Sequence, residues 1–320
     1  MCRCPGGWRM ADTTAHTWFL PALAGPFLYA ACNHIDKHLL QRHFRQDGVA
    51  VLILYSALLS ALVLPLVWWM SPDVLAVDAR NVLILAGVAV LDVVLLWAYL
   101  NAMNTDEPTV VIVFYQLVPV LGLLFGYVLL GETITRLQSV AMGVVIVGAS
   151  LVSFETDGQR KGRLKARTTG FMLLACTCWA METTVFKKVA LEENLWRSFF
   201  WEHLILASAG AALFVLAPRY RARFLAGFRE HSAAVLGLNV LNEGLYITGN
   251  LAVAYAALLA PVALILLMNA FQPFFVLLIG LLLAWRFPQL ATERTEARHL
   301  WRKAAAIGIT GVGKYVLLTT

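Results

Sequence analysis

The sequence predicts an all-α, polytopic membrane protein: ten transmembrane helices arranged as two inverted five-helix repeats. Three observations predict it. Hydrophobic residues make up 60% of the 320 positions and charged residues only 14%, with a mean hydropathy of +0.73, whereas about 25% charge is usual for a soluble domain. Apolar runs of about 20 residues, long enough to cross a bilayer, recur along the chain. The chain also repeats itself. Tyr29-Ala30 through Asn33 to Lys37 returns as Trp179-Ala180 through Thr183 to Lys187, and Pro108 to Pro119 with Gln116 returns as Pro261 to Gln272-Pro273. Gly143 and Gly148 return as Gly308 and Gly313. The matches keep their order at spacings of about 150 residues, as expected of one hydrophobic unit used twice.

Taken in order, the expected spans cover about 16–36, 49–70, 81–103, 108–130, 137–154, 168–187, 198–217, 232–256, 261–285 and 303–319. The second and fourth carry no charge, and the tenth is short and contains Lys314. Pro108 and Pro261 fall in the first turn of spans four and nine, where a missing N–H costs nothing. Pro119 and Pro273 lie inside the same spans, where proline frees a carbonyl and kinks the helix. Membrane helices tolerate such a break beside a cavity or a neighbouring helix. Five spans per unit is an odd number, so two copies in one chain must sit in opposite orientation. The polar, basic stretch Glu155–Arg167 joins them. With residues 1–9 read as a tail, the repeats are 10–159 and 160–320.

Several classes of function are excluded. The net charge of +6 and pI near 9.2 come from short basic clusters between apolar runs, the pattern of topogenic charge. No basic groove with interleaved aromatics points to nucleic acid. Cys2-x-Cys4 and Cys176-x-Cys178 lack the spacing and second ligand pair of a zinc site. No catalytic grouping, metal motif or phosphate-binding loop is present. Neither an enzyme nor a cofactor is expected.

Tyr115-Gln116-Leu-Val-Pro119, then Leu129-Leu130-Gly131-Glu132, then Gly143 to Gly148, with the second copy at Gln272-Pro273, resemble the EamA family of the drug/metabolite transporter superfamily. The resemblance runs from about Trp18 to Leu318. It implies a ten-helix carrier working by alternating access, with a central cavity lined mainly by the first, third, fourth, sixth, eighth and ninth helices. Gly131-Glu132 has no counterpart after the ninth span, where Trp285-Arg286-Phe287-Pro288 stands.

Charge at the bilayer centre costs about 2.5–3.5 kcal/mol per residue, which makes intramembrane carboxyls functional candidates. Asp92, Glu182, Glu202 and Glu243 qualify, while Lys187 and Lys188, near a helix end, can snorkel. In the eighth span Asn239, Asn242, Glu243, Tyr246 and Asn250 fall on one helical face. Such a stripe either lines a cavity or hydrogen-bonds between helices. Tyr29, Asn33, Asp36 and Lys37 form a matching stripe in the first span, with Asp36 and Lys37 expected at a solvated helix end. Glu182 is weighed between cavity lining and a pair with Lys187 or His203, and Glu202-His203 between an interhelical node and a relay. Tyr115 and Gln116 before Pro119 match Asn269 and Gln272 before Pro273. The expected cavity set is Tyr29, Asn33, Asp92, Tyr115, Gln116, Glu182, Asn239, Asn242, Glu243, Tyr246, Asn269 and Gln272.

The function expected is a secondary transporter moving a small organic metabolite across the cytoplasmic membrane, by efflux or exchange. Protonation of Glu243 or Asp92 would supply the coupling. The alternative is a flippase for a lipid or lipid-linked substrate. The partners expected are the solute and membrane lipid, and a homodimer is compatible with both. Orientation divides the arguments. Of the 25 Lys and Arg, 17 fall in the loops after spans one, five, seven and nine: Lys37, Arg42, Arg45; Arg160, Lys161, Arg163, Lys165, Arg167; Arg219, Arg221, Arg223, Arg229; Arg286, Arg294, Arg298, Arg302, Lys303. The positive-inside rule then places both termini outside, whereas the family resemblance implies cytoplasmic termini.

Overall fold

The computed structural model describes residues 17–42, 48–105, 111, 114–136, 139–140, 143, 166–230 and 233–286, and among them there is no strand. The helices are α1 (Phe19–Arg42), α2 (Gly48–Leu59), α3 (Leu64–Met70), α4 (Ala79–Thr105), α5 (Val118–Phe125), α6 (Ala166–Glu192), α7 (Leu195–Leu216), α8 (Pro218–Glu230), α9 (Ala233–Leu259), α10 (Val262–Leu267) and α11 (Gln272–Arg286). The expected tenth span and almost all of the fifth lie outside the described residues, as do Gly148, Gly308, Gly313 and most of the linker.

Among the described residues, five stretches are long and apolar enough to cross a membrane: Val49–Met70, Ala79–Thr105, Arg167–Glu192, Leu195–Leu216 and Val262–Leu283. Phe114–Leu130 is a shorter apolar helix. At 24 and 27 residues, α1 and α9 reach about 36 and 40 Å, but their polar stripes dilute their hydropathy. Large apolar side chains stand bare around the outside, among them Leu20, Leu83, Trp69, Leu216 and Trp285. A patch of that extent is out of place in water and suits a lipid boundary.

Proline sets the breaks inside the spans. Short 3-10 turns at Phe114–Leu117 and Met268–Phe271 immediately precede α5 and α11, whose second residues are Pro119 and Pro273. A proline cannot donate to the preceding turn and crowds its carbonyl, so the helix tightens and restarts at the same place in both halves. A third 3-10 turn, Ser60–Val63, stands just ahead of Pro65.

One helix was not anticipated. Pro218–Glu230 is read from the sequence as a basic loop, yet it forms α8, because its apolar residues recur at helical spacing among the arginines. Phe224 anchors it, with ring centroids 4.3 Å from Tyr55 and 5.6 Å from Phe214.

Hydrogen bonds between helix ends establish direction. Lys37 near the end of α1 donates to the Met103 carbonyl near the end of α4 (2.6 Å). The hydroxyls of Thr105, closing α4, and Thr168, opening α6, are 3.2 Å apart. Lys187, late in α6, donates to the Ala260 carbonyl just past α9 (2.8 Å). The helices α1 and α4 therefore finish at one end of the bundle, the Lys37 end, and α6 and α9 at the other, the Lys187 end. The helices α1 and α9 pack closely where they cross. Gly25 faces Val253 there and Gly249 faces the Tyr29 ring, so closely that a Cβ at Gly249 would lie 2.8 Å from that ring. Small residues permit this backbone approach.

Candidate functional site

A cavity lies between α1, α2, α4, α6, α9 and the 3-10 turn before α5. Eight of the twelve expected residues line it: Tyr29, Asn33, Tyr115, Asn239, Asn242, Glu243, Tyr246 and Gln272. Its volume is about 80 Å³, ample room for ordered water. Because its lining includes Asp36, Leu100 and Asn239, the cavity sits toward the Lys37 end.

One directed hydrogen-bond chain ties its walls together. Gln272 donates to the Asn33 Oδ1 (2.9 Å), Asn33 Nδ2 to the Tyr99 hydroxyl (2.8 Å), and Tyr99 to the Asp36 Oδ2 (2.9 Å). Asn242 donates to the other Asp36 oxygen (2.8 Å). Four helices meet in that chain, and the Asp36 carboxyl is its sole terminal acceptor. A second contact runs from the Tyr246 hydroxyl to Asp92 (2.7 Å). The aromatic wall is continuous: Trp179 packs edge-on against Tyr29 (5.8 Å) and Tyr115 (4.8 Å), and Tyr115 stacks with Tyr99 (6.4 Å).

Four expected residues stand elsewhere. Asp92 is buried behind the cavity as the acceptor for Tyr246. Gln116 and Asn269 are buried beside the two proline breaks, and among the described residues neither amide has a hydrogen-bond partner. Glu182 borders a second, smaller void with Thr183, Phe186, Glu202 and Asn250. Among the described residues one of its oxygens is unpartnered, while Lys187 pairs with Glu132 and His203 lies beside Glu202 instead. His203 bonds the Phe199 carbonyl of its own helix (2.9 Å) and lies 4.0 Å from Glu202.

Two readings of the lysine ends are corrected. Asp36 and Lys37 are not at a solvated end but are buried, with Asp36 7% exposed, because α1 continues through buried Leu39 and Leu40 to Arg42. Those two leucines were the available signal. Lys187 does not snorkel either, because α6 runs to Glu192 and carries its ammonium into a clamp. Gly131 ends the helix at φ +66°, a conformation glycine adopts freely, and turns Glu132 back against Gly126. Glu132 then accepts from Lys187 (2.5 Å) through one oxygen and from the Val262 N–H (2.8 Å) through the other. The first N–H of α10 and the Ala260 carbonyl just past α9 are thus satisfied by one ion pair. This clamp, at the Lys187 end, is what Gly131-Glu132 builds.

Sequence reasoning also missed Cys32, Tyr55, Ser56, Tyr99 and Trp179 as cavity residues. Trp179 was visible only as the repeat counterpart of Tyr29, and Tyr55 and Ser56 sit in an uncharged span without a polar pattern. Away from the membrane-spanning part, the turn between α3 and α4 is tied to the α6–α7 corner. Asp73 meets Ser71 and Arg197, and Glu193 accepts from Asn81 and the Asp78 N–H. These donors hold both carboxyls below their ordinary range, Ser71 foremost for Asp73 and Asn81 foremost for Glu193.

A cavity lined from the first, third, fourth, sixth, eighth and ninth expected spans, with the second besides, agrees with what the resemblance implies, and comparison with known families supports it over part of the chain. Residues 17–154 match the EamA-like transporter family. The EamA family, recognised from Tyr115-Gln116-Leu-Val-Pro119 and Gly131-Glu132, is thereby found over the first half of the chain. One solved structure, described only as the crystal structure of a protein, aligns with a TM-score of 0.63 at 13% identity, covering 96% of this chain and 96% of its own. That likeness shows a shared fold. No curated protein matches. Over residues 17–154 the chain is thus similar to a family of transporters rather than enzymes, and its long apolar helices fit a multi-pass membrane protein.

Proposed function

We propose that this protein is a secondary transporter that carries a small organic metabolite across the cytoplasmic membrane, by efflux or exchange. It would work by alternating access between two inverted five-helix repeats, 10–159 and 160–320. The observation that carries the reading is the cavity itself, enclosed by α1 and α4 from one half and by α6 and α9 from the other. The ends of α1 and α4 at one face, and of α6 and α9 at the other, support the inversion.

In this reading Asn33, Asn242, Tyr246 and Gln272 bind the solute. Asn33 and Gln272 come from different halves, so their hydrogen bond must break or lengthen as the halves rock. The Glu132–Lys187 clamp closes the Lys187 end, and the cavity, displaced toward the other end, is the side from which solute enters. Glu243 or Asp92 exchanges a proton during the cycle. Buried carboxyls with no cationic partner carry charge at a cost that a proton or solute can relieve.

The purified protein in liposomes tests this. Saturable uptake of a labelled metabolite that accelerates when the same solute is loaded inside is the carrier's signature, and Asn242→Ala should reduce it severalfold. Flux without such trans-stimulation would mean a pore and overturn the reading.

A further inference from the structure

We propose that the cavity selects organic cations, specifically small amines bearing an aromatic or apolar group. This rests on the carrier reading of the site and adds the charge of the solute to it.

The charge inventory of the walls is one-sided. The lining contains two carboxyls, Asp36 and Glu243, and among the described residues no Lys, Arg or His lines it. The nearest basic side chains on α1 are turned away: His34 bonds the Val276 carbonyl (2.9 Å) and Lys37 the Met103 carbonyl. Asp36 receives its hydrogen bonds from a phenol and an amide, and Glu243 receives one from Ser56. All these donors are neutral. They orient the carboxyls without supplying a cation, so among the described residues the charge of an ionised carboxyl there is balanced by a proton or by a cationic solute that displaces it. Other carboxyls face this region without a Lys or Arg beside them: Asp92 on α4 stands behind Tyr246, and Glu182 on α6 and Glu202 on α7 border the neighbouring void.

The rest of the lining favours an organic cation over a bare inorganic one. Six aromatic rings, those of Tyr29, Tyr55, Tyr99, Tyr115, Trp179 and Tyr246, face the space. Ring faces attract ammonium groups, most strongly when both are withdrawn from water. The described residues hold no cluster of three or more His, Cys, Asp or Glu able to bind a metal ion. An anion would meet two carboxyls with no Lys, Arg or His lining the cavity among the described residues, whereas a cation can take the place of their proton.

Three solutes that share one ring and differ in charge decide the matter: tyramine, the neutral alcohol tyrosol and the anion 4-hydroxyphenylacetate. Their affinities are measured by calorimetry on the purified full chain near neutral pH. Tyramine should bind at least about tenfold more tightly than tyrosol, the gain expected of a charge-assisted contact, and the anion should not bind. Glu243→Gln and Asp36→Asn should each erase most of that preference, and Glu243→Asp should restore part of it relative to Glu243→Gln. The three-solute comparison on the unaltered chain stands even if a variant does not fold. Equal binding of tyramine and tyrosol, preference for the anion, or no tyramine binding at millimolar concentration would overturn the cation assignment. Trans-stimulated uptake of a neutral or anionic solute would likewise remove the cation assignment and leave the carrier. Absence of trans-stimulation for every solute removes the carrier itself.

Discussion

Replacing Glu132 by Gln should open the Lys187 end of the protein. The Lys187 side chain is 7% exposed and that of Glu132 16%, and the ammonium has one other acceptor, the Ala260 carbonyl. Removing one member of a buried ion pair costs about 3–5 kcal/mol, and the partial exposure of Glu132 points to the lower end, about 3 kcal/mol. Glutamine still offers an oxygen to the Val262 N–H, so the loss falls on Lys187. That cost applies only to the conformation in which the clamp is closed. At about 1.4 kcal/mol per tenfold, the balance between closed and open conformations shifts about a hundredfold toward open. Spin labels at the exposed positions Thr135 and Leu191 report it by pulsed dipolar distance measurement. The unaltered protein should give one short distance, and Glu132→Gln should give a longer one. Lys187→Met should behave similarly, and the double variant should regain much of the thermal stability, because no lone buried charge remains. An unchanged distance distribution in Glu132→Gln, at unchanged stability, would refute the clamp.

Other expectations follow from the same geometry. Gly249→Ala places a methyl group against the Tyr29 ring, and overpacking of this kind costs about 1–3 kcal/mol; a thermal melt should fall by several degrees, and solute affinity should fall with it as the cavity wall moves. Tyr246→Phe removes the donor to Asp92 and should alter the pH dependence of uptake while sparing the fold, as circular dichroism would check. Asp73 and Glu193 have depressed pKa values in the folded state, so their contribution is present above the ordinary carboxyl range and is lost as pH falls through the lowered values; hydrogen exchange at residues 71–78 should accelerate there and not at higher pH. With the basic loops at the Lys37 end facing the cytoplasm, a reporter fused to the C-terminus and active only in the cytoplasm should stay silent, and a strong signal would reverse the orientation.

What the sequence made legible was what periodicity encodes. The stripe from Asn239 to Asn250 was readable because a polar face in lipid needs protein or water beside it, and its members face the two voids. The proline breaks were readable because Pro119 and Pro273 recur at one place in the repeat. Depth along a helix was harder. Placing the end of α1 at Asp36 made a central acceptor look like a solvated terminus, since charge itself was taken as the boundary signal. Lys187 was misjudged for the same reason, and its partner Glu132 lies 55 residues away, beyond any local pattern. Gln116 and Asn269, by contrast, share the register of cavity residues but point into packed protein. A helix near a break changes its rotation, and sequence spacing alone does not report that change.

The central claim is that the cavity opens to one face at a time, and the native thiol of Cys32, which lines it, tests this directly. With Cys2, Cys4, Cys176 and Cys178 replaced, a membrane-impermeant maleimide is applied to each face of sealed vesicles in turn. Cys32 should react from the face bearing the Lys37 end in the otherwise unaltered chain, and from the opposite face once Glu132→Gln releases the clamp. Reaction from both faces in the otherwise unaltered chain, or from one same face in both proteins, would contradict alternating access.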